Sequence, residues 1–455
     1  MAFQLVSGQH IHVVGIGGFG MSAIARVLLE TGYTISGSDQ KANALTASLE
    51  AAGAQIMIGH NAANVGSNVD VLLASSAIPS TNPEIETAYQ RGIPVLHRRD
   101  AIGALTAPYQ TLAVSGVHGK TTTTALLCHV LTEAGLDPTA IVGGVMNSTG
   151  TNACVGRSQW FVIEADEYGE MFLGLRPAVA IVNNIEHDHP DQFPTLAVMV
   201  DTFRRFIEQT EGVVVAGIDS PPVAELIHNR PDTLTYSLEN LNADWAASDI
   251  QPHARGVTTF TLYHQGQSQG TVELSLMGKH NVENALAVIA TAHHIGIPLS
   301  TIQTTLDTFQ GTARRSQIMG RVGGVTLVND YAHHPTAIRL TLEAWRGIEG
   351  QLWAVWQPHT YNRLRALADD FMHAFGDADH VLITDVYSVR EEPTPGLSAP
   401  DLAERMPHPD ARYSGGFEAS ASLLEQTVKA GDCVIIFSAG DAPRIGEILL
   451  ERLQP

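Results

Sequence analysis

The chain has 455 residues, 44% hydrophobic and 16% charged, the balance of an ordinary folded protein; at about 150 residues per domain this leaves room for three domains. A formal net charge of -21 repels nucleic acid and anionic membrane surfaces, so neither is an expected partner, and any anionic substrate must meet its cations in a local pocket. Cys128, Cys154 and Cys433 stand far apart with no C-x-x-C pair, and no run of about 18 apolar residues occurs, so a disulfide framework, a zinc knuckle and a membrane span are not expected; a cytoplasmic protein is.

Ile11 to Val14 form a short apolar run that leads into Gly15-Ile16-Gly17-Gly18-Phe19-Gly20, and Ile24, Val27 and Leu28 then recur at helical spacing. Further strands are predicted at Tyr33 to Gly37 and Val69 to Ala74, and the turn-rich segment Pro79 to Pro83 follows. This first α/β unit is assigned to residues 1–107. A second opens with the strand Thr111 to Ser115, the loop Gly116 to Thr122 and a helix stopped by Gly135. It continues through buried strands at Trp160 to Ile163, Val179 to Val182 and Gly212 to Val215, and through an alternating segment, Thr258 to Tyr263, expected to add an antiparallel element. Residues 108–311 make up this central unit. The third, 312–455, alternates helices with strands at Val325 to Val328, Leu352 to Trp356, His380 to Thr384 and Cys433 to Phe437. The expected fold class is therefore α/β in three domains, Rossmann-like at both ends, with a P-loop-type ATPase domain and a mostly parallel sheet between them.

Gly116, Val117, His118, Gly119, Lys120, Thr121 and Thr122 combine what a phosphate cradle needs. Small residues expose backbone N–H groups, lysine brings charge, threonine hydroxyls suit a magnesium ion, and a helix N-terminus lies behind. Val114 replaces the first glycine of the usual pattern, and an ordinary strand-to-helix turn is the alternative. Gly15, Gly17 and Gly20 with Asp39 fit a turn that binds a dinucleotide or another nucleotide diphosphate, since such a turn reads pyrophosphate and not what is attached to it. Two acidic segments, Glu164 to Glu167 and Glu186 to Asp191, follow predicted strands, at the end of a sheet where ligands bind. They either hold a divalent cation against phosphates or form solvated loops. In the third unit Asn329 to Pro335 and Gln357 to Arg363 also follow strands, with His334 equally suited to capping a helix and Arg363 shaped to grip a carboxylate.

Taken in order along the whole chain, these motifs, together with Ser75-Ser76-Ala77-Ile78, Gly278-Lys279-His280-Asn281, Asn284-Ala285 and Asp385-Val386-Tyr387, resemble the Mur ligase family. The resemblance implies that Gly17, Gly18, Phe19, Gly20, Met21, Ser22, Asp39, Ser75 and Ser76 hold a UDP-sugar, and that Gly116 to Thr122 hold ATP with its adenine near His280, Asn281 and Asn284. It implies two Mg²⁺ ions, one on Thr121 and Glu164 and one on His189, and an amino-acid site at Tyr331, His333 and Arg363. Lys120, Glu164, His189 and His333 are the catalytic residues it implies. Most family members that add later residues carry a carboxylated lysine in the central domain, whereas no lysine occurs here between Lys120 and Lys279. The activity implied is the ATP-dependent joining of L-alanine to the lactyl carboxylate of UDP-N-acetylmuramate through an acyl phosphate, by a monomer or weak homodimer. The rivals are a recycling ligase that attaches a tripeptide to the same sugar, an NAD-dependent oxidoreductase and an inactive UDP-sugar sensor. Departures from the family pattern fall at Asn329, at Thr360 and at Tyr168-Gly169-Glu170.

Overall fold

The computed structural model describes residues 4–253, 256–347, 349–388 and 391–454, which build three sheets in chain order. The first sheet is parallel throughout, with His10–Val14 flanked by Thr34–Asp39 on one side and Val71–Ala74 on the other. Strand order reverses at His10–Val14, and that is where a doubly wound sheet opens a crevice at its carboxyl edge. The glycine turn is placed there, leading directly into helix Phe19–Glu30. Two further strands, Gln55–Ile58 and Val95–His97, close the edges. Neither was expected, because both are short and part-exposed, with no more than three apolar residues in a row.

Among the described residues ten strands form the central sheet. An interior strand, Gln110–Ser115, lies between Trp160–Glu164 and Val179–Val182, with Val114 paired to Glu164 and Ser115 to Val182. All three strands are buried and point the same way, so their C-terminal ends deliver the phosphate loop and both acidic segments to one rim. The expected antiparallel element is present as Val257–His264, paired on both sides by Trp245–His253 and Gln267–Leu274. Five strands here are not evident from the sequence, among them Thr139–Met146, whose apolar run is interrupted by Gly143 and Gly144, and Thr151–Cys154, which holds only small and polar residues.

The third sheet is parallel except for its edge strand Gln317–Val322. Between the central and third sheets the chain does not swing free: Asn147 and Gly311 share a backbone hydrogen bond of 3.2 Å, and Ala313 donates to Val145 across 2.8 Å. The sharp turn comes just after, where Arg314 and Ser316 both adopt positive φ (61° and 46°). A β-carbon makes that conformation costly, so these residues are held by their surroundings rather than by preference. Among the described residues no helix is long and apolar enough to cross a membrane.

Candidate active site

A cavity of about 850 Å³ lies where the three units meet. The first contributes Phe19, Gly20 and Arg98; the central one Lys120, Thr121, Glu164 and His189; the third Arg315, Tyr331 and His333. The acidic molecule thus gathers Arg98, Lys120, Arg314 and Arg315 around one hollow.

The phosphate loop is shaped by its contacts with Asn183, Asn184 and Asn284. The amides of Val117 and His118 are taken by the backbone and side chain of Asn184, at 3.1 and 2.8 Å. The first intrahelical bond runs from Thr123 N–H to Gly119, so the donors left free at the helix start are those just before Thr123, where an anion meets both N–H groups and the helix dipole. Gly119 itself has φ of +81°, and a Cβ there would collide with the Asn284 amide, so no other residue fits both its backbone and its neighbour.

Lys120 is fully engaged. Its ammonium donates to Gly116 O at 2.6 Å, to Val117 O at 3.3 Å and to the Glu167 carboxylate at 2.8 and 3.0 Å. Burial alone would depress its pKa, but Glu167 and Asp166 outweigh burial and raise it, so the lysine stays charged. Glu167 was read only as part of an acidic segment. Its 0% exposure identifies it as the buried counter-charge that keeps Lys120 in the loop, and His189 lies 3.8 Å from the same carboxylate.

Thr121 Oγ1 donates to Glu164 Oε1 at 3.1 Å, while Glu164 Oε2 accepts from Gly143 N at 2.7 Å. Octahedral Mg²⁺ with bonds of about 2.1 Å sets adjacent oxygens about 3 Å apart, so the spacing of this hydroxyl and carboxylate fits that ion. His189 lines the same cavity, in a left-handed conformation (φ 52°) and with its ring 5.0 Å from that of Tyr168.

Arg315 is one residue that the sequence does not single out. It stands just inside the third unit, yet its guanidinium crosses to donate to Thr121 Oγ1 at 3.1 Å and also lies 5.0 Å over the Tyr331 ring. Arg363, expected to bind a substrate carboxylate, is elsewhere. Both its Nε and Nη2 donate to Asp188 Oδ1, at 3.1 and 2.9 Å, with each side chain 7% exposed. In this structure the Arg363 guanidinium is committed to Asp188, and Arg363 does not line the cavity.

His333 does line it, beside Tyr331. Burial holds its pKa well below the usual imidazole range, and Nδ1 lies 2.9 Å from Tyr331 O, which fixes the neutral tautomer with Nε2 as acceptor. His334 caps helix Pro335–Trp345 by accepting from Thr336 N, and it also meets the phosphate loop. Its ring is 4.9 Å from that of His118, with Glu186 bonded to His118 at 2.8 Å and to Thr336 at 2.7 Å. Ligand atoms of His118, Glu186 and His334 all lie within 4.8 Å of one another.

His280, Asn281 and Asn284 share one face at the start of helix Lys279–His294 and line the cavity behind the loop. The buried Nδ1 of His280 has no partner among the described residues.

In the first unit only Phe19 and Gly20 of the expected sugar-binding residues line the cavity. Arg98, not foreseen, packs so closely on Gly20 that a Cβ there would lie 2.6 Å from the guanidinium. Asp39 accepts from Gly17 N at 2.9 Å and so braces the turn, with Gly18 capping the helix that follows. Ser75 and Ser76 lie at the neighbouring strand end, half-buried and exposed. Met21 and Ser22 face inward: Met21 is 2% exposed in the core, and Ser22 is bonded to Phe19 O and to Asn152. Their side chains are therefore packing elements rather than ligand contacts.

Family profiles match in the same order: Mur ligase family, catalytic domain over 10–110, Mur ligase middle domain over 114–292, and Mur ligase, glutamate ligase domain over 314–440. The chain belongs to the Mur ligase family. A UDP-N-acetylmuramate–L-alanine ligase of Geotalea uraniireducens (strain Rf4) is 41% identical, with 98% of each chain covered. One from Thermosynechococcus vestitus is 42% identical over 94% of this chain and 93% of its own. Among solved Mur ligase structures, the UDP-N-acetylmuramate–alanine ligase of Thermotoga maritima superposes with a TM-score of 0.84 at 27% identity, covering 97% of this chain and 98% of its own. A murein peptide ligase from Psychrobacter arcticus 273-4, also 27% identical and covering 98% and 99%, reaches 0.71.

Proposed function

We infer that this Mur ligase is the ATP-dependent enzyme that joins L-alanine to the lactyl carboxylate of UDP-N-acetylmuramate in peptidoglycan precursor synthesis. The observation that carries this reading is the single cavity to which Lys120, Thr121 and Glu164, the cations Arg98 and Arg315, and the Tyr331–His333 pair all contribute. Joining two anions, a carboxylate and a triphosphate, is the chemistry that such a ring of charge suits.

In the first step a lactyl carboxylate oxygen attacks the γ-phosphorus, the bond to the β-bridging oxygen breaks, and ADP leaves an acyl phosphate. The alanine amine then attacks the acyl carbon, phosphate departs, and the ammonium proton is lost to form the amide. Lys120 and the free amides at the helix start hold the phosphates, and Arg315 brings a second fixed positive charge to the Thr121 hydroxyl as the third unit packs against the loop. Thr121 and Glu164 would hold Mg²⁺, with His189 beside them, and the ion would neutralise phosphate charge when bound. Neutral His333 offers Nε2 as acceptor for an amine N–H and so orients the nucleophile beside Tyr331. Phe19, Gly20 and Arg98 face the sugar nucleotide.

Tripeptide attachment to the same sugar is the second reading, and the closer superposition on the alanine ligase, 0.84 against 0.71, favours the first. Phosphate release measured with UDP-N-acetylmuramate, ATP and separate additions of L-alanine, glycine, L-serine and tripeptide decides between them. Release with tripeptide and not with L-alanine would reverse the assignment.

A further inference from the structure

Outside the cavity, two cysteines separated by 26 positions lie against each other. Cys128 belongs to helix Lys120–Glu133, the helix that starts at the phosphate loop, and Cys154 ends strand Thr151–Cys154 at the edge of the central sheet. Their sulfurs are 3.7 Å apart, and both are free thiols. A disulfide requires about 2.0 Å, so the gap to be closed is on the order of 1.7 Å. Cys128 is buried at 4% exposure, whereas Cys154 is half-buried and reaches solvent; the third cysteine, Cys433, sits in the core of the third sheet.

We propose that Cys128 and Cys154 form a redox modification site, closing to an intramolecular disulfide on exposure to a peroxide. The accessible Cys154 thiolate attacks one peroxide oxygen, the O–O bond breaks, and hydroxide leaves a sulfenic acid. The Cys128 thiol then attacks that sulfur; the S–S bond forms and the sulfenic oxygen departs as water with the thiol proton. Two electrons pass from the pair to the peroxide, which ends as two waters. The roles follow from the surroundings. The contact between the two sulfurs lowers the Cys154 pKa and raises that of Cys128, and burial raises Cys128 further.

The pair joins two functional elements. Asn152, two residues before Cys154, donates to Phe19 O at 2.7 Å and to Ser22 Oγ at 3.0 Å, bracing the glycine turn of the first unit. Drawing the end of this strand toward the helix displaces Asn152, so oxidation raises the KM for the sugar nucleotide; this consequence, unlike the disulfide itself, rests on the ligase reading above.

The test uses the full chain treated with hydrogen peroxide, quenched in acid and alkylated after denaturation. Reduced protein takes three labels; oxidised protein is expected to take one, at Cys433, with a mass lower by about 2 Da and a linked peptide joining Cys128 to Cys154, all reversed by dithiothreitol. Cys154→Ser should abolish the linkage and leave reduced activity unchanged, and Cys128→Ser should leave Cys154 to oxidise further. Three labels retained after peroxide, or a bridge found only between molecules, would overturn the site. An oxidised protein with an unaltered sugar-nucleotide KM would overturn the coupling, and a failed ligase assay would leave the label count untouched.

Discussion

Arg363 and Asp188 form a buried ion pair between the third and central units, both guanidinium donors converging on one carboxylate oxygen at 2.9 and 3.1 Å. Burial alone would raise the Asp188 pKa, but Arg363 and three nearby histidines hold it well below the usual carboxylate range, so the pair is charged on both sides. Removing one partner of such a pair leaves an uncompensated charge and costs about 3–5 kcal/mol, whereas removing both costs much less than the sum. Arg363→Met and Asp188→Leu should each lower stability by about that amount in urea unfolding, with the double variant recovering most of the loss. A binding role for Arg363 predicts instead a raised L-alanine KM at unchanged stability, and the two measurements on one variant separate these outcomes.

Lys120 should be indispensable for turnover and dispensable for binding the sugar. Its charge is aimed at the phosphate loop and lies on a different element from Phe19 and Gly20. Lys120→Ala is expected to lower ADP formation by about 10²-fold or more, the loss typical of removing one preorganised charge from a transition state. Calorimetric titration with UDP-N-acetylmuramate should give nearly wild-type affinity. Glu167→Gln removes the charge that anchors the ammonium and should raise the ATP KM more than it changes the sugar affinity.

Much of this site was legible because a motif that binds phosphate must announce itself locally: glycines for close approach, a lysine, and hydroxyls at a helix start cannot be dispersed along the chain. The acidic segments were legible for a related reason, since strand C-termini in a parallel sheet share one edge. Arg315 and Arg363 were not, because a cation's partner is set by how the third unit packs on the central one. Nothing in Gly311 to Arg315 tells that one guanidinium will land on Thr121 while Arg363, forty-eight positions later, is already paired. Glu167 and Arg98 were hidden the same way. The missed strands share a different cause: Gln55–Ile58 and Thr151–Cys154 are edge or near-edge elements with half-exposed, small or polar residues, and only pairing with a neighbour makes them strands.

Arg315 carries charge from the third unit to the first turn of the loop helix, where Thr121 is also matched to a divalent cation. Arg315→Met should therefore slow the chemical step by about 10²-fold while leaving equilibrium binding of the sugar nucleotide near normal. Single-turnover acyl-phosphate formation, followed by rapid quench, reports this directly. A variant that forms acyl phosphate at the normal rate but stalls at amide formation would place Arg315 with the amino acid instead of the phosphate.

Glu283 provides the pH-dependent prediction. It lines the cavity on helix Lys279–His294, and burial together with the neighbouring carboxylates Asp219 and Glu239 pushes its pKa up to about 7 from an unfolded value near 4.5. A folded pKa above the unfolded one means that the folded state binds the extra proton. The neutral acid is fully tolerated below about pH 4.5, and stability is lost as pH rises from there through about 7, where the fold must accept the charge or give up the structure around it. The accumulated cost above pH 7 is on the order of 3 kcal/mol. Glu283→Gln mimics the neutral acid at every pH, so it should raise the thermal midpoint at pH 8 by several degrees and leave it unchanged at pH 4.5. His280 and the buried His334, both held near pKa 4 by desolvation, run the other way. Their folded pKa lies below the unfolded value of about 6.5, so the stability they contribute is present above that pH and is lost as pH falls toward 4. The two windows overlap between about pH 4.5 and 6.5, where two histidines gain stability with rising pH faster than one carboxylate loses it, so the wild-type curve should peak near the upper end of that overlap, and Glu283→Gln should flatten only its alkaline side. A variant whose midpoint rose equally at both pH values would show that the gain came from packing and not from the proton.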